Sequence, residues 1–358
     1  MITSDVARLA RAKRAFTTRR VPADEIFTLL DQAALDQRFL VRSFRPGDLA
    51  LARVEEVGHH TRIERCDGRR ARLFPGDEVI VALGSRYAPD QFEAVVPEQL
   101  GPCHLAAAGG IAGVVRVVHD RIIKPTELRL IGLIASAKGR VLNLADYAMA
   151  PIPAAPDLPA VAVVGTAMNA GKTTSAAALI RGLAAAGRRV GAAKVTGTGA
   201  GGDVWHYRDA GAAEVLDFTD AGHVATYQLP QAELVEIVNT LIAGLAEAGC
   251  DVAVVEIADG ICQTETAALL ESPAMGRLTP RVLFAAREAA GAAFGAGALR
   301  ARGYDVAGVT GLITRAPLAV QEFEALGNGR CLTLDDLSDP ATAVDLLPAA
   351  EPLLEIAS

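Results

Sequence analysis

The rhythm of hydrophobic and polar positions changes near the middle of the chain. Up to residue 149, short apolar or alternating runs at 49–57, 70–74 and 78–83 are separated by Pro46-Gly47-Asp48, Asp67-Gly68 and Pro75-Gly76-Asp77. Period-two alternation punctuated by turn residues predicts short strands, and the regular spacing predicts a small β-barrel or compact sheet. A basic N-terminal helix and a second helix over 23–37 are expected ahead of it.

After residue 159 the pattern becomes strand and helix in turn. Continuous apolar runs at 161–164, 190–195, 252–257, 282–285 and 306–313 alternate with helical patterns at 173–186, 232–248, 289–302 and near 320–326. Leu234, Val235, Val238, Leu241, Ile242 and Leu245 fall on one stripe at helical spacing. Strands that are apolar at every position are buried on both faces, which calls for helices above and below a mostly parallel, doubly wound α/β sheet. Residues 150–159 hold Pro151, Pro153, Pro156 and Pro159, so they form neither a helix nor a central strand. The expected organisation is a smaller β-rich, barrel-like α+β domain over 1–149, a linker over 150–159, and an α/β domain over 160–358. No internal repeat is visible.

Composition and charge add three points. At 358 residues, 51% of them hydrophobic, the chain can bury two cores. Residues 1–150 carry 22 Lys+Arg against 18 Asp+Glu, which leaves 13 against 24 for the rest, so the first half is the better partner for an anion. The five cysteines (Cys66, Cys103, Cys250, Cys262, Cys331) are scattered without a C-x-x-C pair and read as reduced thiols, not as a disulfide framework or zinc site. The apolar stretch 105–115 stops at Arg116, well short of a membrane span. The first twenty residues carry Arg8, Arg11, Lys13, Arg14, Arg19 and Arg20 with no apolar core between them, so no secretory leader and a cytoplasmic location are expected.

The chemistry concentrates at Val161-Ala-Val-Val-Gly165-Thr166-Ala167-Met168-Asn169-Ala170-Gly171-Lys172-Thr173-Thr174. A buried strand passes through a tight loop into a helix, which is the setting of a phosphate-binding P-loop. There the backbone N–H groups of the loop and helix start converge on the β-phosphate and Gly171 allows close approach. Lys172 bridges β- and γ-oxygens, and the Thr173 hydroxyl holds Mg²⁺. The expected nucleotide-contacting set is Gly165, Thr166, Asn169, Ala170, Gly171, Lys172, Thr173 and Thr174.

The first glycine of the loop stands one residue further back than in the usual pattern, and this G-T-x-x-x-x-G-K-T spacing resembles dethiobiotin synthetase and cobyrinic acid a,c-diamide synthase. Three later segments follow in matching order: 187–197 with Lys194, 251–260 with Glu256 and Asp259, and 300–309 with its Arg-Gly-Tyr turn. The likeness covers roughly 160–330 and none of the first half. It implies Mg²⁺ contacts from Thr173, Asp203 and Glu256, with Lys172, Lys194 and Asp203 as the catalytic set. An acidic residue at the end of a central strand beside such a loop can hold Mg²⁺ directly or through water, and a lysine opposite neutralises charge as the phosphoryl group moves. ATP is the implied nucleotide and GTP the alternative, because Leu312-Ile313-Thr314 stands where that family places an adenine-reading Asn. Ala167 occupies the signature-lysine position of the partition-type ATPases, which argues against that branch.

Residues 196–223 form a second polar cluster, with five glycines in 197–211 around Trp205, His206 and several carboxylates. The cluster is also similar to the T-G-x-T-G and D-x-x-G-A-x-E pattern of the D-amino-acid N-acetyltransferase family. It is expected to form a co-substrate pocket; the plainer reading is a glycine-rich surface loop whose Asp217 and Asp220 cap helices. His59-His60 are expected at an exposed strand end, and His104 and His119 at the surface or in satisfied core positions. Arg62, Arg65, Arg69, Arg70 and Arg72 suit packing against the acidic half or a small anionic ligand. Nucleic acid is disfavoured, because few aromatic residues accompany them.

The expected function is therefore a Mg-ATP-dependent enzyme of the ligase or synthetase class that activates a carboxylate or similar oxyanion of a small anionic substrate by phosphoryl transfer. Two alternatives stand beside it. One is a regulatory or metallochaperone-like NTPase whose first domain docks a partner protein or a second copy; the other is an N-acyltransferase-like P-loop protein.

Overall fold

Residues 6–37, 43–327 and 329–348 are described by a computed structural model, in which the chain divides into two units. The first takes the chain to Pro151 together with Thr196–Trp205 and Asp217–Pro230. The second takes Ile152–Val195, His206–Leu216 and the chain from Gln231 onward.

The first unit is built on strands β1 (Lys13–Arg14), β2 (Thr28–Leu30), β3 (Leu49–Glu56), β4 (Arg62–Glu64), β5 (Arg70–Arg72), β6 (Glu78–Leu83), β7 (Arg86–Tyr87), β8 (Phe92–Val95), β9 (Gly101–Ala107), β10 (Ile111–Val118) and β11 (Thr126–Ala135), with helices α1 (Val6–Arg11) and α2 (Gln32–Gln37). The pairings run β6-β3-β11-β9-β10, and β10 pairs back with β6, so these five strands close on themselves as a barrel. Alternation sorts the side chains. Ala50, Ala52, Val54, Val79, Val81 and Leu83 belong to one buried cluster, while their neighbours Leu49, Leu51, Ile80 and Ala82 belong to another with Leu9, Val21, Leu144 and Val224. The stretch 105–115 is the β9–β10 hairpin of this barrel.

The expected helix over 23–37 is not formed as one. A short 3-10 turn at Ala23–Glu25 is followed by β2, which pairs antiparallel with β11, and only then by α2. Helix propensity over this stretch is outcompeted by sheet pairing, since Leu30 opposite Leu133 is fully buried.

Two segments from the second half of the chain are built into this unit. Thr198 bridges Ala225 antiparallel, and Val224 and Ala225 enter the core cluster. The Gly201 N–H donates to buried Glu64 Oε2 at 2.6 Å. The Arg19 guanidinium donates to Asp217 Oδ1 at 3.2 Å and also to Asp220 and Thr219. Asp217 and Asp220 are therefore not helix caps: they are buried acceptors that fasten 217–230 to Arg19.

The second unit alternates strand and helix as expected: β12 (Ala160–Gly165), α3 (Lys172–Ala185), β13 (Val190–Lys194), α4 (Gly201–Asp209, assigned to this unit from His206 onward), β14 (Glu214–Asp217), α5 (Gln231–Glu247), β15 (Val252–Glu256), α6 (Thr264–Glu271), α7 (Pro273–Leu278), β16 (Arg281–Ala285), α8 (Ala289–Ala301), β17 (Asp305–Thr310), α9 (Pro317–Ala325), α10 (Leu334–Ser338) and α11 (Pro340–Asp345). Its six-stranded sheet has the order β14-β13-β15-β12-β16-β17, and the ladders β13–β15, β15–β12, β12–β16 and β16–β17 are parallel. Every residue of β12 and β15 is buried, the signature of a sheet covered on both faces. The strand expected over 306–313 stops at Thr310, because Gly311 takes a φ of +89° and a 3-10 turn follows. Helix α4, which begins inside the glycine-rich stretch, was not expected.

The proline-rich stretch 150–159 is irregular, as expected, but it is tied down. Ile152 N donates to Thr240 Oγ1 at 3.1 Å, Ala155 N to Asn239 Oδ1 at 3.2 Å, and Asn239 Nδ2 to Pro153 O at 2.9 Å. Among the described residues no helix is long and apolar enough to cross a membrane.

Candidate functional site

Strand β12 is the first strand of its sheet and lies at its centre, with β15 on one side and β16 on the other. The chain leaves it in one direction to β13 and β14 and returns on both sides, so the crevice beyond its carboxyl end is a topological switch point, where doubly wound sheets bind ligands. The loop 166–171 fills that end. Three neighbours hold it: Thr166 N donates to Ala285 O at 2.9 Å, Leu312 N to Ala170 O at 3.1 Å, and Ile261 N to Gly165 O at 3.0 Å.

Two glycines are dictated by this packing. Gly171, at the N-cap of α3, has φ +103°, and a Cβ there would lie 2.9 Å from Gly311 Cα. At Gly165 a Cβ would lie 2.8 Å from Ala285 O and 3.0 Å from Lys172 Cγ. Asn169 also lies in the left-handed region, with φ +60°. Lys172, only 5% exposed, donates from Nζ to Ala167 O at 2.8 Å, so its ammonium is held over its own loop. Thr166 Oγ1 is buried without a hydrogen-bond partner, and the first turn of α3 directs its N–H groups outward from the helix start.

A buried carboxylate stands beside the loop. Glu256 ends β15 and is 2% exposed, and the parallel register sets it next to Val163 of β12 and Lys194 of β13. The Thr173 hydroxyl donates to Glu256 Oε1 at 3.2 Å, and Lys194 Nζ lies 4.0 Å from the same oxygen. Glu256 Oε2 accepts a hydrogen bond from the Tyr207 hydroxyl. The structure thus brings together Thr173, Lys194 and Glu256, three residues named from the sequence. It adds Tyr207, for which the sequence offered no assigned role. Asp203 sits in the first turn of α4, four positions before Tyr207 and so on the same helical face.

The glycine-rich stretch is not an open cradle. A Cβ at Gly199 would lie 2.8 Å from Thr17 Cγ2, and at Gly201 2.9 Å from Phe16 Cδ2, so these glycines allow close packing within the first unit. Gly199 and Gly201 are thus packing positions and not part of a ligand cradle. His206 is exposed, while the Trp205 ring packs against Gly68.

The remaining histidines divide. His59 is exposed, but His60 is half-buried with Nε2 3.2 Å from Ala106 O. Burial, then the Arg86 cation, push the His60 pKa down to about 3. His104 Nδ1 accepts from Val115 N at 3.2 Å, and His119 Nδ1 from Arg121 N at 3.1 Å. Of the arginine group, Arg70 pairs with Glu64 at 3.1 Å and Arg65 with Asp67 at 3.6 Å. The five cysteines are free. Among the described residues no group of three or more His, Cys, Asp or Glu side chains converges as a metal site.

Strand, glycine-bearing loop, helix with Lys-Thr at its start, and an acidic residue ending the neighbouring parallel strand make this the P-loop NTPase fold. No protein-family model and no curated protein matches the chain. Solved structures do. The signal recognition particle receptor FtsY from Elizabethkingia anophelis in complex with GDP is 14% identical, with a TM-score of 0.33, over 52% of this chain and 52% of that one. The 54 kDa signal recognition particle protein from Aeropyrum pernix in complex with GDP is 18% identical, with a TM-score of 0.35, over 51% and 43%. FtsY from Mycoplasma mycoides is 20% identical, with a TM-score of 0.35, over 54% and 63%. This chain thus spans about half the length of the first of them. At TM-scores of this size the likeness adds nothing to what the sheet order and the loop already establish.

Proposed function

We propose that the second unit binds a nucleoside triphosphate with Mg²⁺ at residues 165–174 and moves its terminal phosphoryl group. The observation that carries this reading is the meeting of the Thr173 hydroxyl and the Lys194 ammonium at one buried carboxylate, Glu256, beside the loop. The residues present fit both groups. Lys172, the first turn of α3 and the unsatisfied Thr166 Oγ1 suit a polyphosphate. A hydroxyl and a carboxylate 3.2 Å apart are the hard oxygen donors that Mg²⁺ takes alongside phosphate and water.

Thr173 and Glu256 would hold Mg²⁺, directly or through water. The ion, when bound, neutralises phosphate oxygens and orients them. Lys172 and Lys194 supply positive charge where negative charge grows on the moving group. Asp203, which the resemblance to dethiobiotin synthetase also named, lies in a segment of the first unit and is not counted in this set. That resemblance also supports an oxyanion of a small molecule, above all a carboxylate, as acceptor, and ATP ahead of GTP.

A second reading has its own observation. The segments that follow β13 and β14 belong to the first unit, as they would in a regulatory NTPase whose nucleotide state is passed to a partner-docking domain.

The deciding experiment is calorimetric titration of ATP and of GTP, each with Mg²⁺, into the wild-type chain and Lys172→Ala. One nucleotide is expected to bind wild type and to weaken about 10- to 100-fold in the variant, the value of a charged hydrogen bond. No binding by wild type would overturn the proposal. ADP release matched mole for mole by a new product supports the synthetase reading; stimulation by a macromolecule without a product supports the regulatory one.

A further inference from the structure

Glu256 has two oxygens, and each is engaged. Oε1 receives the Thr173 hydroxyl and faces Lys194, while Oε2 receives the phenol of Tyr207. A glutamate side chain has three side-chain torsions and several staggered rotamers, and holding both of its oxygens selects one orientation among them. Tyr207 is 1% exposed and has only two side-chain torsions, so its hydroxyl is delivered to Oε2 from a fixed position. The frame behind it is equally fixed. Ala212 N donates to Tyr207 O at 3.0 Å, and Ala213 N to Val190 O at 2.8 Å, which fastens the end of α4 to the start of β13. The far end of β13 carries Lys194, in register with Glu256.

We propose that Tyr207 is a positioning residue that holds Glu256 in the orientation in which it serves Mg²⁺ at Thr173. This rests on the proposed function above. Tyr207 acts through the carboxylate: with Oε2 tied to the phenol, Oε1 and its negative charge stay directed at the hydroxyl of α3. Without the phenol, the carboxylate turns toward Lys194 and the metal loses a fixed acceptor for itself or its water shell. Binding of nucleotide without metal draws on the loop and Lys172 and is independent of Tyr207.

The test uses the full chain. ATP and GTP are titrated into wild type, Tyr207→Phe, Glu256→Gln and the double variant, first in EDTA and then at increasing MgCl₂, with thermal unfolding recorded for each. Tyr207→Phe is expected to keep metal-free nucleotide affinity within about twofold, and to need about tenfold more Mg²⁺ for half-maximal tightening, as loss of a carboxylate's outer partner does. In the Glu256→Gln background the same change is expected to add nothing further. An unchanged Mg²⁺ dependence in Tyr207→Phe overturns the proposal, as do additive shifts in the double variant. A loss of metal-free affinity together with a lower unfolding temperature also overturns it, since that is the mark of a packing role. Wild type that binds no nucleotide overturns the P-loop reading and this proposal together. Lys172→Ala losing nucleotide while Tyr207→Phe behaves as wild type overturns this proposal alone.

Discussion

Gly171 shows how narrowly single residues are specified at the loop. Its left-handed backbone, at φ +103°, is disfavoured for any residue with a Cβ, and that Cβ would press on Gly311 at 2.9 Å. Gly171→Ala is therefore expected to cost about 1–3 kcal/mol in urea unfolding and to lower nucleotide affinity, while a denaturation midpoint equal to wild type would contradict the packing. Lys172, Thr173 and Glu256 were legible in the sequence because each occupies a defined place, after the strand, at the helix start, or at the next strand's end. Lys194 was legible through a family resemblance, and the parallel register explains it: Lys194 and Glu256 are paired positions. Tyr207 was not legible. Its role depends on a hydrogen bond to a residue 49 positions away, and no local pattern marks that contact.

Elements follow the same division. The strands and helices with strong periodicity, β12, α3, β13, α5, β15, β16 and α8, lie within a residue or two of their expected bounds, since their apolar pattern and their burial agree. Helix α4 was hidden by Gly201 and Gly202, which lower helix propensity. Part of what its first turn lacks is supplied from outside: Glu64 Oε2 accepts the Gly201 N–H, while Oε1 pairs with Arg70. Glu64→Ala leaves that N–H buried without its acceptor. It is expected to lower stability by about 1–3 kcal/mol and to speed amide exchange at 201–205 while leaving α3 unchanged; exchange rates equal to wild type in α4 would refute this account of the helix start. Strand β2 was missed for the converse reason, because its partner β11 lies a hundred residues further along the chain.

At the scale of whole units, pH stability has a traceable source. Folded, His60 stays neutral down to about pH 3, whereas an unfolded imidazole takes up a proton near its ordinary 6.5. Between these values the unfolded chain binds more protons. The contribution of His60 is thus fully present above about pH 6.5 and declines as the pH falls toward 3. Unfolding free energy measured by denaturant at pH 7 and at pH 5 is expected to fall by about 2 kcal/mol more in wild type than in His60→Gln. Equal losses in the two proteins would place the acid sensitivity elsewhere.

Two rhythms, period two before the proline-rich stretch and alternating strand and helix after it, determined a β-rich first part and a doubly wound second one, because burial on one face or two leaves its mark on every successive side chain. The loop at 165–174 was determined in the same way, since a strand, a tight turn and a helix start are local structures with local requirements. Tertiary structure alone decided the closure of β6 with β10, and the return of Thr196–Trp205 and Asp217–Pro230 to the first unit. It also decided the gathering of Thr173, Lys194 and Tyr207 on Glu256. These are pairings between residues far apart in the chain, held by buried hydrogen bonds and ion pairs whose partners become neighbours only when the chain is folded.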